Sequence, residues 1–236
     1  MITAEECEDA LTTARSHLAD MEPFLPTRVS AADLNVWAKA PYKALVIRGG
    51  LLWRSQELGA DAIAAFAEER LATATILTRA VMENVALHWR LGDLITRRKE
   101  TSGDNLSDTL TRMLVGWKND KEFPEAFNAL TMVDRLDKIV PGVRDGYDQL
   151  SEIAHPNYSG VHGLYAQNDE ERFITHLGPK VRETTPRHAV LMLAATLGLQ
   201  RNADLMFADA FREWIKELPS LDDDRPADES WWVPKG

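Results

Sequence analysis

Cysteine is almost missing from the 236 residues: Cys7 stands alone. A single thiol excludes an intrachain disulfide and any thiolate metal cluster, and it suits a reducing compartment such as the cytoplasm. Long apolar runs are missing as well. The longest, AVLMLAATLGL at 189–199, falls well short of the roughly 20 residues a membrane-spanning helix needs. The opening MITAEECEDA is acidic and has no apolar centre, so neither a secretory signal nor a membrane partner is expected. There is no P-loop, no G-x-G-x-x-G, no HExxH and no CxxC. Nucleotide sites of those types are therefore unsupported, and His155, His162 and His176 lack the spacing of a metal centre. No cofactor and no metal are expected. Basic residues are in deficit, 27 against 37 acidic, a net charge of −10. A field of that sign works against loose phosphate binding, so RNA is an open but not a favoured partner, although a local basic cleft is not excluded.

What is present is helical. Hydrophobic residues make up 44% and charged residues 27%, the composition of an ordinary globular protein. Residues 3–20 form an amphipathic pattern that stops near Pro23 and Pro26, and VSAADLNVWAKA reads as a linker or short helical turn. Pro41 suits the first turn of a helix running to about residue 67, with Gly49 and Gly50 a weak or closely packed spot. Residues 71–95 are apolar almost all round, which predicts a helix at the centre of a bundle. KETSGDNLSD reads as a polar loop in which Ser107 or Asp108 caps a helix over 106–117. Helices are then expected over 124–139 and from Pro141 to His155. A small β-hairpin is expected near 163–177, followed by a long helix from Thr185 to about Leu218. The fold expected is all-α in the main, a bundle of about six or seven helices with that one hairpin. Residues 1–220 form a single domain and 221–236 an acidic tail carrying Trp231 and Trp232. That tail docks on its own bundle or on a protein partner.

Two segments concentrate polar side chains where apolar ones would be expected. Arg79 and Glu83 are four apart in the most apolar helix, so they share a face and can pair. Either they fix helix register as an ion pair or they line a polar pocket, since an unpaired buried charge costs several kcal/mol. In YDQLSEIAHPNYSG, Tyr147, Ser151 and His155 recur at i, i+4 and i+8 along one side of a helix. Pro156 ends that helix, because it disfavours helical geometry at the residue before it. His155 is then either an anchor at a helix end, bonded to a carbonyl or to Glu83, or a general acid or base. Ser151 lacks the strained turn of a serine nucleophile. Arg79, Arg90, Arg97, Arg98 and Lys99 lie along or just past the central helix; the run Arg97, Arg98, Lys99 complements the dipole at its end, with phosphate contact as the alternative.

ILTRAVMENVALHW resembles the R-x-x-x-E helix of the HEPN-like group of bacterial all-helical proteins, and YDQLSEIAHPNYSG is similar to its Y-x-x-L-S-E-x-x-H-P segment. The similarity spans roughly residues 41–160. It implies a helical bundle that pairs as a homodimer, in a group that includes RNA-cleaving toxins, antiviral effectors and non-catalytic helpers. The nuclease members place an arginine in R-x4–6-H. Here those positions hold Leu150, Gln149 and Asp148, and Arg144 lies eleven residues before His155. Two readings follow. The first is a non-catalytic HEPN-like protein that binds a protein or small ligand in bacterial stress or phage defence. The alternative is a metal-independent endoribonuclease with His155 as acid or base, Arg79 as phosphate clamp and Tyr147 and Ser151 as positioning groups. In both, Arg79 and Glu83 are expected to meet Ser151 and His155.

Overall fold

The computed structural model describes residues 3–36, 38–101, 103–179 and 187–219. Among them are helices α1 (Ala4–Met21), α2 (Lys39–Ala67), α3 (Leu71–Thr96), α4 (Gly103–Val115), α5 (Ala129–Asp137) and α6 (Val143–Ala154). The single turn α7 (Gly163–Tyr165), strands β1 (Ala166–Asp169) and β2 (Ile174–Leu177) and the long α8 (Arg187–Glu217) complete the order. The protein is thus a mainly α bundle with one small antiparallel hairpin, Ala166 pairing with Leu177 and Asp169 with Ile174. The acidic tail with Trp231 and Trp232, and Thr185 at the expected start of the last long helix, lie outside the described residues.

Local chemistry sets the helix ends. Thr3 caps α1 through a capping box, its hydroxyl accepting from the Glu6 N–H at 3.1 Å while Glu6 accepts from the Thr3 N–H. Pro41 sits in the first turn of α2, where a missing N–H costs nothing. Gly49 is a close-approach site: a Cβ there would lie 2.8 Å from the Pro26 ring. Trp53 donates to the Pro26 carbonyl at 2.7 Å beside it. Two expected boundaries move. α4 begins at Gly103, so Ser107 and Asp108 lie inside the helix rather than at its cap. The reason is packing: Leu106 and Leu110 are buried, and the Lys43 ammonium donates to the hydroxyls of Ser107 and Thr111 at 3.0 and 2.7 Å. α4 ends at Val115 and α5 starts only at Ala129, capped by Asn128. Residues 117–126 instead form a loop closed by a bridge between Trp117 and Glu125, with the Trp117 N–H donating to the Pro124 carbonyl. Pro124 would suit a first helical turn, but its carbonyl is taken up by the Trp117 N–H and the Ala126 N–H by the Trp117 carbonyl, so backbone pairing satisfies the loop.

α3 runs through the middle, packed on α2, α5, α6 and α8. Its buried residues include Val81, Val85, His88, Leu91 and Ile95. One apolar cluster joins Leu18, Leu52, Val81, Val85, Val133, Leu150 and Leu193. A second joins Leu45, Leu91, Ile95, Leu110 and the aromatic run Phe207, Phe211, Trp214. Leu87 touches both.

A charged group lies deep within this packing. Arg48 of α2 donates two hydrogen bonds to Asp204 of α8, at 2.7 and 2.9 Å, with only 1% of the arginine exposed. His88 of α3, fully buried, has Nε2 3.6 Å from the same carboxylate, and its Nδ1 lies 2.5 Å from the Gln200 amide. Burial pushes the His88 imidazole down to about 4, against the opposing pull of Asp204, and the nearby Arg48 charge lowers it further. A histidine depressed in the folded state is neutral there while the unfolded chain takes up a proton, so the stability it supports is lost as pH falls. Urea unfolding should therefore show stability falling between about pH 6.5 and pH 4 by roughly 3 kcal/mol from this group. His88→Gln should flatten that part of the profile.

Candidate functional site

α6 owes its place to its ends and to one face. Gly142 precedes it at φ +96°, a left-handed conformation that glycine adopts without strain. Asp137 accepts from the N–H groups of both Gly142 and Arg144 at 3.0 Å. Val143, Gly146, Tyr147 and Leu150 form the buried stripe. At the other end His155 has extended backbone, ψ 148°, as Pro156 requires. Asn157 then accepts from the Gly160 N–H at 3.0 Å and opens a π-helical turn, Tyr158–His162. Gly160 is pressed against the carbonyls of Ile153 and His155 so tightly that no Cβ fits.

The stripe brings Tyr147 to the Arg79–Glu83 pair. Arg79 Nη2 donates to the Tyr147 hydroxyl at 2.8 Å, and that hydroxyl donates to Glu83 Oε1 at 2.7 Å. Arg79 Nε lies 3.3 Å from the same oxygen, close enough for an ion pair but without hydrogen-bond alignment. The guanidinium also lies over the phenol ring, 5.0 Å from its centre. The three groups hold one another across α3 and α6, with Arg79 Nε left without a hydrogen bond. The two charged side chains keep 28% and 32% of their surface, so water reaches the cluster's edge. Burial first, and then the Glu83 hydrogen bond, raise the Tyr147 phenol above its ordinary value. A phenol held protonated in this way neither takes up nor releases a proton near neutral pH.

Ser151 and His155 do not join the cluster. The Ser151 hydroxyl donates to the Tyr147 carbonyl at 2.8 Å, a bond within its own helix. His155 is exposed, and among the described residues its ring has no hydrogen bond to a carbonyl or to Glu83. The expected meeting of imidazole with cation and carboxylate therefore fails. Eight helical residues carry a side chain about 80° around the axis, so His155 sits at the rim of the face that buries Tyr147.

The basic residues past α3 act on helix ends. Arg98 and Lys99 pair with Glu217 at 2.8 and 2.7 Å, tying the end of α3 to the end of α8, and Arg98 also donates to the Ile95 carbonyl. The buried group of Arg48, His88, Gln200 and Asp204 is absent from the sequence reading. Its signals were an arginine inside ALVIRGGLL and a Gln–Asp pair four apart in the last helix. Among the described residues no three His, Cys, Asp or Glu side chains are grouped to hold a metal ion.

Tyr147→Phe should destabilise the protein by about 1–2 kcal/mol in urea unfolding, because it leaves both charged partners short of a hydrogen bond. Ser151→Ala should change stability by less than about 0.5 kcal/mol.

No family model, no curated protein and no solved structure matches the chain.

Proposed function

We propose that this chain is a non-catalytic HEPN-like helical protein that works by binding a protein or small ligand. Its setting would be the cytoplasm, in bacterial stress or phage defence, a setting carried by the sequence resemblance alone. One observation carries the non-catalytic reading. The Arg79 guanidinium is committed to Tyr147 and Glu83, while His155 stands apart and exposed. Cleavage of RNA by general acid–base chemistry needs the imidazole and a charge-stabilising cation on the same phosphate.

Incubation of the purified protein with total RNA and transfer RNA in chelator tests this. No cleavage is expected, His155→Ala should melt like the wild type, and Arg79→Ala should melt lower. Cleavage by the wild type that disappears in both variants would install the endoribonuclease reading instead.

The binding reading also includes a homodimer. The hairpin and the turn before it present Tyr158, Phe173 and Leu177 at 73%, 96% and 81% exposure. Among the described residues no third strand pairs with the two-stranded sheet. A second copy pairing about a twofold axis would cover both. Light scattering should report two chains for the wild type and one for Phe173→Asp combined with Leu177→Asp, with helicity retained. A mass unchanged by the substitutions would remove this face as the interface.

A further inference from the structure

We propose that the cleft between α3 and α5 is the docking site of the chain's own acidic tail, residues 221–236, which seats carboxylates on Arg135 and Lys138 and an indole of Trp231 or Trp232 on the apolar wall. The cleft encloses about 600 Å³. Arg90 of α3 and Arg97 just past it line one side, and Arg135 and Lys138 line the other from the end of α5. Arg90 is paired with Asp93, Arg97 with Glu100, and the lining Asp134 with Arg144. Arg135 and Lys138 have no carboxylate within ion-pair distance among the described residues. Burial, and then the Arg135 charge, weaken the hold of Arg90 on its proton, against the pull of Asp93. Arg135 therefore adds like charge beside a partly buried guanidinium, and a carboxylate placed there relieves the repulsion.

The tail carries the complementary chemistry. Residues 221–236 hold five carboxylates, Asp222, Asp223, Asp224, Asp228 and Glu229, against two cations, Arg225 and Lys235. Trp231 and Trp232 come just after the second acidic group. The cleft offers them Trp89, Met132 and, at the rim, Ile139, 55% exposed. An indole buries a large apolar area against such a wall while its N–H keeps a polar contact at the edge.

The bundle also delivers the tail to this place. Glu217, the last residue of α8, pairs with Arg98 and Lys99, the two residues after Arg97. Leu218 packs on the apolar cluster of Phe211 and Trp214. The chain beyond Leu218 therefore starts beside the cleft. Five residues lead from Glu217 to Asp222, and at roughly 3.3 Å each they span about 16 Å, more than the width of a helix. Fourteen lead from Glu217 to Trp231, whereas Trp89 lies only about 12 Å along α3 from Arg97. Attachment so near gives the tail an effective concentration of order millimolar, which favours the same chain over a second copy as the occupant. This inference goes beyond the binding reading above and rests on neither His155 nor the Arg79 cluster.

A nitroxide on residue 230 of the full chain, carrying Cys7→Ser and Ser230→Cys, tests it through paramagnetic broadening of amide signals. Broadening is expected over residues 89–97 and 134–139 and not over α1. It should be lost in Arg135→Glu combined with Lys138→Glu, with an unchanged circular dichroism spectrum. It should return when Asp222→Lys, Asp223→Lys and Asp224→Lys are added to that background. Trp231→Ala combined with Trp232→Ala should reduce it at least about twofold. Absence of broadening over 89–97 and 134–139, or broadening that survives the charge reversal on α5, overturns the site. Failure of the three lysines to restore it overturns charge pairing as its basis. Isotope-labelled chains without a nitroxide, mixed with nitroxide-bearing chains, should show no broadening there. Broadening as strong as within one chain would assign the cleft to the tail of another copy and overturn the own-chain occupant.

Discussion

The bidentate pair between Arg48 and Asp204 holds the rest of the bundle in register. It joins α2 to α8, two helices separated by more than half the chain, at a depth where 1% of the arginine meets water. Two desolvated charges are costly, and good geometry is what offsets that cost. The pair allows little sliding, because a shift of one turn would strand both charges. His88 enters the same space from α3 with its imidazole neutral. Three helices are thereby placed relative to one another by polar contacts, and the apolar clusters on either side fill in around them.

With α3 held in this way, Arg79, Glu83, Arg90 and Asp93 keep part of their surface and recur at helical spacing along it. Near one end Arg79 and Glu83 meet Tyr147 of α6 and close a set of bonds in which each partner uses the others. Closure of this kind specifies how α6 lies on α3. It also engages the guanidinium with both Tyr147 and Glu83. Further along, Arg90 of α3 and Arg97 just past it line a cleft against the end of α5, Arg90 paired with Asp93 and Arg97 with Glu100.

The end of α6 shows which members of a short motif reach the α3 pair and which do not. Tyr147, Ser151 and His155 lie in sequence order at helical spacing, and the helix does stop where Pro156 requires. Yet the serine bonds to its own backbone and the histidine faces outward. Spacing of four residues keeps neighbours in reach, whereas eight residues rotate a side chain off a narrow buried face. The glycine at 160 and the π-helical turn complete a tight reversal whose backbone carbonyls, rather than side chains, make the close contacts.

Much of the fold was legible from the residues alone, because apolar periodicity is a local property written in every helix. The central position of α3 followed from its near-continuous apolar surface. The first-turn proline of α2, the helix stop at Pro156 and the hairpin after it followed from backbone chemistry. α4 starts earlier than its polar residues suggest because what fixes it is not local: Lys43 of α2 bonds Ser107, and Leu106 is buried among residues of other helices. The partner of Arg79 and Glu83 lay in a segment singled out for other reasons, but which of its three polar residues would reach them was a question of rotation about an axis. Arg48, His88, Gln200 and Asp204 lie on three helices up to 156 residues apart, and Arg90 and Arg135 face each other across a fourth contact. No local pattern encodes such meetings. Sequence by itself determined which faces must be buried and where helices stop; tertiary structure alone decided which charges meet, because electrostatic partnership depends on distances that only packing sets.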